Sequence, residues 1–260
     1  MSAVREALRE SERRLAAAGV PTPRVDAELL VAHAVGTTRT GLYADLARPV
    51  AGLEELLRRR ERREPLAYVL GEWDFRRLTL KTDARALVPR PETEVVVERA
   101  LALIHDLDAP RVLDVGVGSG AIALAIADEH PGARVTGVDV SRDALSLARE
   151  NAERLGLDVE LREGGLEVAA EGWDVVVSNP PYVPTLAGLQ PELLHEPRLA
   201  LVGSGLHAQL AGVARTTWLV LEVGDGQAQD VARELTEEGY ADVRVTNDLT
   251  GIERVVEGRR

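Results

Sequence analysis

The sequence predicts an α/β protein in which a parallel sheet wound with crossover helices follows a small helical domain. Three observations predict this architecture. At about 150 residues per domain, a chain of 260 residues has room for one large domain and a small appendage. The N-terminal quarter carries apolar residues at helical spacing. After Pro91, short β-branched runs alternate with amphipathic helical patterns.

The helical domain is predicted over residues 1–70. Val4 and Leu8 lie near helical spacing in a segment rich in Ala, Glu and Arg, and Gly19 should end that helix. Two further helical runs are predicted at about 24–35 and 53–65. Residues 71–88 form a predicted β-hairpin linker, because its apolar residues occupy roughly alternating positions.

The second domain is predicted over residues 89–260. Its helical patterns fall at about 92–105, 119–130, 141–155 and 227–238. Its β-branched runs fall at about 111–114, 134–139, 159–162, 174–178 and 218–223, with two more near Val243 and Val255. Strands that alternate with helices join through crossover connections, so this order predicts a parallel sheet.

The composition excludes several classes of function. With 31 basic and 43 acidic residues the formal net charge is −12, which disfavours unspecific nucleic-acid binding. The chain has no cysteine, which excludes disulfides, thiolate zinc sites and thiolate nucleophiles, and its 5 histidines show no ligand spacing, so no metal site is expected. No stretch approaches about 18 uncharged apolar residues, so we expect neither a signal peptide nor a membrane span, and a cytoplasmic location.

A glycine-rich loop occupies residues 114–121, where a predicted strand turns into a predicted helix. Glycines let the backbone approach a ligand and adopt positive φ, and the helix offers free N–H groups. A nucleotide or nucleoside ligand is the natural inference. The spacing of Gly116, Gly118 and Ala121, with Asp139 about 20 residues on, also satisfies a dinucleotide site. A tight turn without a ligand is a third interpretation.

Asp139 ends the second predicted strand of the sheet. A carboxylate at that place can accept hydrogen bonds from both hydroxyls of a ribose, as nicotinamide and adenosyl cofactors both require. Capping of the next helix is the alternative role, but Ser141 already serves that purpose. The ribose role is therefore preferred.

The motif Asn179-Pro180-Pro181-Tyr182 directly follows the apolar run 174–178. The prolines extend the backbone and lack N–H groups, which leaves the amide oxygen of Asn179 and the carbonyl of Pro180 as acceptors. Two such acceptors suit a planar NH2 group, whose hydrogens grow more acidic as its nitrogen attacks an electrophile. Tyr182 is expected to lie over the flat face of the target. A rigid turn at a strand end is the alternative.

This motif resembles that of N-methyltransferases that use S-adenosylmethionine, and almost the whole chain is similar to release-factor glutamine methyltransferases of the HemK/PrmC type. Besides the glycine loop, the matching segments are 65–71, 73–75, 87–94, 178–182, 196–201, 221–224 with Gln227, and 248–249 with Arg254. The Pro-Arg-Pro-Glu-Thr-Glu block at 89–94 is the most discriminating, since base methyltransferases with the same tetrapeptide usually lack it.

The resemblance implies a seven-stranded class I (Rossmann-like) methyltransferase sheet, S-adenosylmethionine as cofactor, and an N-terminal helical domain that helps to dock the substrate. The implied reaction is methylation of the side-chain nitrogen, N5, of the glutamine in the Gly-Gly-Gln motif of peptide chain release factors. The expected partner is thus a release factor and not nucleic acid or a membrane, and the enzyme is expected to be a monomer.

The resemblance also implies roles for single residues. The glutamine would be held by Asn179, Pro180, Pro181 and Tyr182. The cofactor would contact the glycine loop, the ribose acid, two residues near the adenine and the first residue of the motif: Gly116, Val117, Gly118, Ser119, Gly120, Asp139, Glu163, Gly164 and Asn179. Gly164 replaces a larger residue of the family, so cofactor affinity would depend on another side chain. The segment between Gly205 and Trp218 looks shorter than the family's helix and glycine turn.

Three other functions fit part of the sequence: an N6-adenine methyltransferase acting on DNA or RNA, a nicotinamide-dependent oxidoreductase and a catalytically silent binding module. The net charge of −12 and the lack of aromatic residues among the basic ones argue against the first. Arginines at 58–63 are interleaved with glutamates, which indicates a solvated helix face. Glu196 is interpreted as a pocket-wall residue and not as a general base.

Overall fold

The computed structural model describes residues 3–260, and the chain divides into two units. The first comprises the chain up to Glu72 together with Leu189–His195, and the second comprises Trp73–Gly188 and Glu196–Arg260. Residues 1 and 2 of the predicted helical domain lie outside the described residues. The assignment of Leu189–His195 to the first unit has no counterpart in the sequence patterns.

The described part of the first unit contains helices α1 (Val4–Ala17), α2 (Pro23–Val35), α3 (Leu53–Glu61) and α4 (Leu66–Leu70). Helix α2 begins with Pro23, whose fixed φ suits the first helical position, and it ends at Gly36, which adopts φ +64°. Leu8 of α1 and Val31 of α2 belong to one apolar cluster between these helices. The three predicted helices are confirmed, and α4 is an addition.

Arg60 of α3 corrects the expectation of a fully solvated arginine face. Its side chain is buried, and its Nε donates to Asp26 at 2.7 Å while its Nη2 donates to Glu192 at 2.9 Å. Arg63 donates twice to the same Glu192, at 2.7 Å each. A buried guanidinium needs such partners, and Glu192 is supplied by the distant segment Leu189–His195. The spacing of charged residues within α3 does not predict that these arginines pair with Glu192.

The second unit opens with a hairpin and continues with a seven-stranded sheet. The hairpin pairs β1 (Glu72–Phe75) with β2 (Leu78–Lys81), and the sheet contains β3 (Arg111–Val115), β4 (Arg134–Asp139), β5 (Glu160–Glu163), β6 (Trp173–Ser178), β7 (Thr216–Glu222), β8 (Ala241–Asn247) and β9 (Glu253–Arg259). The strand order is β5-β4-β3-β6-β7-β9-β8. Strands β3 to β7 run parallel, whereas β9 is antiparallel to both of its neighbours. The predicted seven-stranded sheet is confirmed.

Helices cover both faces of this sheet. The helices of this unit are α5 (Glu94–Ile104), α6 (Ala121–Glu129), α7 (Arg142–Leu155), α8 (Arg198–Leu201), α9 (Leu206–Val213) and α10 (Ala228–Glu237). Neighbouring strand residues such as Val112 and Leu113 belong to two different apolar clusters, because successive side chains point to opposite faces. Phe75 and Leu80 of the hairpin lie in the first cluster, so the predicted linker is part of this unit's core.

Helix α9 lies in the segment that looked abbreviated after Gly205. It is followed almost directly by β7, which begins at Thr216. The approach to this strand is therefore short but still helical. No helix within residues 3–260 is both long enough and apolar enough to span a membrane.

The order of the strands fixes the place of a crevice. Strand β4 lies on one side of β3, whereas β6 lies on the other. The direction in which successive strands are added to the sheet therefore reverses next to β3. Ligands of such sheets bind outside the carboxyl ends of the strands at this reversal. Val115 of β3 pairs in register with Ser178 of β6, and the Ser178 hydroxyl donates to the Val115 carbonyl at 2.7 Å. The glycine loop and the Asn-Pro-Pro-Tyr motif thus begin side by side.

Candidate active site

A cavity of about 320 Å³ lies at the carboxyl ends of β3, β4 and β6. Its walls come mainly from residues 85–90, 115–119, 139–141, 164–166 and 178–181, with Thr93, Pro197 and Leu199. All of these residues belong to the second unit. The structure thus brings together most of the residues that the sequence predicted at a ligand site.

The glycine loop forms the wall that follows β3. The N–H groups of Gly116 and Val117 both donate to the Val138 carbonyl at 2.9 Å, which ties the loop to β4. Gly116 and Gly118 adopt φ +78° and +55°, conformations that glycine reaches at low cost. Gly116, Val117, Gly118 and Ser119 line the cavity, whereas Gly120 does not. Gly120 instead precedes α6, where an added Cβ would lie 2.8 Å from a methyl carbon of Leu124.

Asp139 lies on the wall with its carboxylate held by backbone groups. Its Oδ2 accepts from the Gly118 N–H at 3.0 Å, and its Oδ1 accepts from the Ser141 N–H at 2.9 Å. Each carboxylate oxygen can accept a second hydrogen bond, so both remain able to receive a hydroxyl. The Ser141 hydroxyl accepts from the Ala144 N–H at 3.2 Å, which confirms it as the N-cap of α7. The two backbone hydrogen bonds therefore fix the orientation of the carboxylate at the cavity wall.

Glu163 and Gly164, both predicted near an adenine, take different positions. The exposed carboxylate of Glu163 accepts from Arg142 Nε at 2.8 Å and does not line the cavity. Gly164 lines it, and an added Cβ would lie 2.9 Å from Cγ2 of the buried Val168. The larger residue of the resemblance would therefore collide with Val168 here.

Two apolar side chains supply the surface that Gly164 lacks. Val140 follows Asp139 and is 59% exposed. Leu166 follows the two glycines at 164 and 165, and both apolar side chains line the cavity. An exposed apolar side chain beside a polar acceptor is suited to the flat, apolar face of a base. Sequence reasoning missed both residues, although Val140 stands directly after the predicted ribose acid.

Asp114 is the first residue of the segment 114–121 and belongs to the carboxyl end of β3. It is 1% exposed, its Oδ2 accepts from the Ala123 N–H at 3.1 Å, and its Oδ1 has no partner among residues 3–260. Burial and, to a smaller extent, the charge of Asp139 together raise the pKa of this carboxyl to about 7, although the hydrogen bond from Ala123 lowers it. Asp114 itself does not line the cavity. The wall combines the acid Asp139, the glycine loop and apolar side chains, a set that fits an adenosyl cofactor.

The Asn-Pro-Pro-Tyr motif contributes three of its four residues to the wall. Asn179, Pro180 and Pro181 line the cavity, and Asn179 Nδ2 donates to the Thr93 hydroxyl at 3.2 Å. Thr93 lies in the block 89–94 that the resemblance singled out, but the sequence assigned it no role.

Tyr182 lies outside this wall, against the chain that follows β7. Its carbonyl accepts from Gln227 Nε2 at 3.3 Å, and a Cβ added to Gly224 would lie 3.0 Å from Cδ2 of its ring. Burial raises the pKa of Tyr182 to about 12, so its phenol is neutral. Its predicted position over the target stays a prediction. Glu196 is buried, and its neighbour Pro197 lines the cavity, whereas Glu196 itself does not.

Two family models match the chain. One is described as the PrmC N-terminal domain and matches residues 6–71. The other is described as the methyltransferase small domain and matches residues 96–208, a range that contains the glycine loop and the Asn-Pro-Pro-Tyr motif.

Curated relatives are similar to the chain over nearly its full length. The release factor glutamine methyltransferase of Deinococcus radiodurans is 42% identical, over 99% of this chain and 98% of the relative. Its namesake from Geobacter sulfurreducens is 41% identical, over 98% of this chain and 96% of the relative. That of Caulobacter vibrioides is 40% identical, over 94% and 92% respectively.

Solved structures share the fold at low sequence identity. The hMettl16 catalytic domain, crystallised with MAT2A 3′UTR hairpin 6, superimposes with a TM-score of 0.59 at 15% identity, over 82% of this chain and 84% of that one. A methyltransferase from Pyrococcus furiosus gives a TM-score of 0.50 at 18% identity, over 69% and 87%. These two likenesses concern the fold alone.

Proposed function

Because this chain belongs to the release factor glutamine methyltransferase family, we propose that Asn179 and the Pro180 carbonyl hold the side-chain amide of a release-factor glutamine while its nitrogen is methylated. The enzyme is a protein-glutamine methyltransferase, and its methyl donor is S-adenosylmethionine. The observation that carries the proposal is that both acceptor residues and the glycine loop line one cavity.

When bound, the cofactor supplies an electrophilic methyl carbon on a sulfonium centre. We assign the adenosyl part to Gly116–Ser119, to Asp139 and to the apolar pair Val140 and Leu166, all on the cavity wall. The ribose hydroxyls would donate to the preoriented carboxylate of Asp139. We assign Glu163 no contact with the cofactor, because its carboxylate pairs with Arg142 away from the cavity wall.

The chain's own part in the chemistry is to hold an amide. An amide nitrogen is a poor nucleophile because its lone pair is delocalised, and its hydrogens become more acidic as positive charge develops during attack. The acceptors on Asn179 and Pro180 therefore bind those hydrogens more strongly in the transition state than before it. No base is needed before transfer, because the proton leaves after the nitrogen has become cationic. Holding the amide in line contributes further to the rate.

The first unit is proposed to dock the release factor, and the chain from about residue 89 to carry out the transfer. Support comes from the match of the PrmC N-terminal domain model to residues 6–71. We also propose that the enzyme is a monomer, since the cavity is built by a single unit of one chain. A cytoplasmic location is proposed because its relatives are named as enzymes of release factors. Cross-linking of the release factor to the first unit and sedimentation of the free enzyme check the docking role and the monomeric state.

The decisive experiment measures transfer of a labelled methyl group from S-adenosylmethionine to purified substrates. We expect label on a release factor, on the glutamine of its Gly-Gly-Gln motif, and loss of label when that glutamine is replaced by alanine. An adenine-containing oligonucleotide is the parallel substrate. Label on the oligonucleotide alone would overturn the proposal in favour of N6-adenine methylation.

A further inference from the structure

A buried carboxyl group stands behind the wall on which the substrate amide is proposed to bind. Glu222 is the last residue of β7, and its neighbour Leu221 pairs in register with Ser178, the residue before Asn179. Its side chain is 1% exposed, and its Oε2 has no hydrogen-bond partner among the described residues. A buried carboxylate with spare acceptor capacity is costly and calls for a functional reason.

Glu222 belongs to a chain of three polar side chains. Asn179 Nδ2 donates to the hydroxyl oxygen of Thr93 at 3.2 Å, and Thr93 is itself buried on the cavity wall. The Thr93 hydroxyl and the Asn179 amide lie close enough to the carboxyl of Glu222 that both lower its pKa. Thr93 comes from the turn before α5, so three separate parts of the second unit meet at this point.

The chemistry of these groups determines which way the Asn179 amide faces. An ionised carboxylate can only accept hydrogen bonds, whereas a side-chain amide has an NH2 end that donates and an oxygen that accepts. A carboxylate behind Asn179 therefore favours the orientation in which Nδ2 faces inward and Oδ1 faces away from Glu222. The opposite orientation would set two acceptors against each other and present a donor to the substrate NH2.

We propose that Glu222 is a positioning residue for glutamine methylation, which acts with Thr93 to fix the Asn179 amide with its oxygen toward the substrate. This inference rests on the proposed role of Asn179. Glu222 and Thr93 act through Asn179, and neither is proposed to contact the substrate or the cofactor.

The charge state of Glu222 supplies a readout that a purely structural role would lack. Burial raises the pKa of this carboxyl to about 7, Glu92 raises it as well, and Arg254 lowers it. Two further titratable groups lie near Glu222: the neutral phenol of Tyr182, and His207, whose Nε2 lies 2.9 Å from the main-chain carbonyl of Glu222. A protonated Glu222 becomes a donor and would favour the wrong orientation of the amide. The rate constant kcat should therefore fall as the pH drops through about 7.

The test compares wild type with Glu222→Gln, Thr93→Val and Thr93→Ser, all as full-length protein. Glutamine keeps the shape of Glu222 but cannot titrate and offers both a donor and an acceptor. We expect kcat on the release factor to fall about tenfold or more in Glu222→Gln and Thr93→Val. Thr93→Ser, which keeps the hydroxyl, should recover most of that loss. The acid limb of the kcat profile should be smaller in Glu222→Gln than in wild type.

Two control measurements separate positioning from folding. The affinity for S-adenosylhomocysteine by calorimetry and the melting temperature should change little in variants that lose kcat. If Glu222→Gln and Thr93→Val keep the wild-type kcat, or if the acid limb is unchanged in Glu222→Gln, the positioning role is overturned. A loss of kcat that parallels losses of cofactor affinity and melting temperature overturns it too. A wild type that methylates no release factor instead overturns the proposed function itself.

Discussion

Glu196 accepts a hydrogen bond from the backbone N–H of Val88 at 3.0 Å, across 108 residues of sequence. The same carboxylate pairs with Arg90 through its other oxygen. Val88 and Arg90 line the cavity, as does Pro197 next to Glu196. This carboxylate therefore connects the segment that carries Val88 and Arg90 to the segment that carries Pro197. This structural role explains why Glu196 is buried although it does not line the cavity.

We expect Glu196→Ala to destabilise the second unit, because it leaves the buried N–H of Val88 without its acceptor and Arg90 without this partner. The expected loss is about 1–3 kcal/mol in the free energy of unfolding. All 3 tryptophans lie in the second unit, so urea unfolding followed by tryptophan fluorescence reports on it. Glu171→Ala, which removes an exposed pair with Arg162, should cost less than about 1 kcal/mol. Equal losses in the two variants would contradict this role of Glu196.

Asp139→Asn should weaken cofactor binding. Asparagine cannot accept from both the Gly118 and Ser141 N–H groups, and it loses the charge that would bind the ribose hydroxyls. Hydrogen bonds to charged groups contribute about 1.5–3 kcal/mol, so we expect the Kd for S-adenosylhomocysteine to rise about tenfold or more by calorimetry. The control is Asp143→Asn, an exposed acid in the first turn of α7, which should leave the Kd unchanged.

Glu163→Gln tests the remaining adenine assignment in the same assay. Because the Glu163 carboxylate pairs with Arg142 outside the cavity, we expect no change in the Kd for S-adenosylhomocysteine. A clear loss of affinity would instead support the contact that the resemblance implied.

Gly164→Ala should destabilise the protein by about 1–3 kcal/mol, because its Cβ would lie 2.9 Å from Cγ2 of the buried Val168. The neighbouring variant Gly165→Ala is a matched control. Its Cβ would meet Oε2 of Glu167 at 2.9 Å, but this is the end of an exposed and flexible side chain that can move. Urea unfolding should separate the two variants. Similar stabilities would show that Val168 yields easily and that the glycine is not required by packing.

Asp114→Asn should change how stability depends on pH. The folded-state pKa of Asp114 is raised to about 7 by burial, so its contribution to stability is present below the ordinary aspartate pKa and is lost as the pH rises through about 7. Relative to wild type, the variant should gain stability between pH 4 and pH 8, on the order of 4 kcal/mol. Urea unfolding at both pH values measures this difference. A constant difference between the two proteins would show that Asp114 does not titrate in this range.

Much of the fold follows from short-range sequence patterns. The alternation of β-branched runs and helical patterns predicted β3 to β7 and helices α5, α6, α7 and α10 within a few residues of their observed bounds. The glycine loop and the Asn-Pro-Pro segment were equally visible, because each works through a local property of its residues: positive φ in one, missing N–H groups in the other. The helices α8 and α9 escaped because they are short and carry no clear periodicity.

The local sequence pattern by itself thus determined that the sheet is parallel and wound with helices, since strand and helix periods are set by neighbouring residues. It also located the glycine loop and the Asn-Pro-Pro segment, which meet where the strand order reverses. Only the tertiary structure decided which polar and charged groups are buried and which residues they pair with. Arg60 meets Glu192, Val88 meets Glu196 and Asn179 meets Thr93, each over more than 80 residues of sequence. Burial makes such pairs necessary, because an isolated charge or polar group pays a large desolvation cost, but the identity of the partner depends on how distant segments pack.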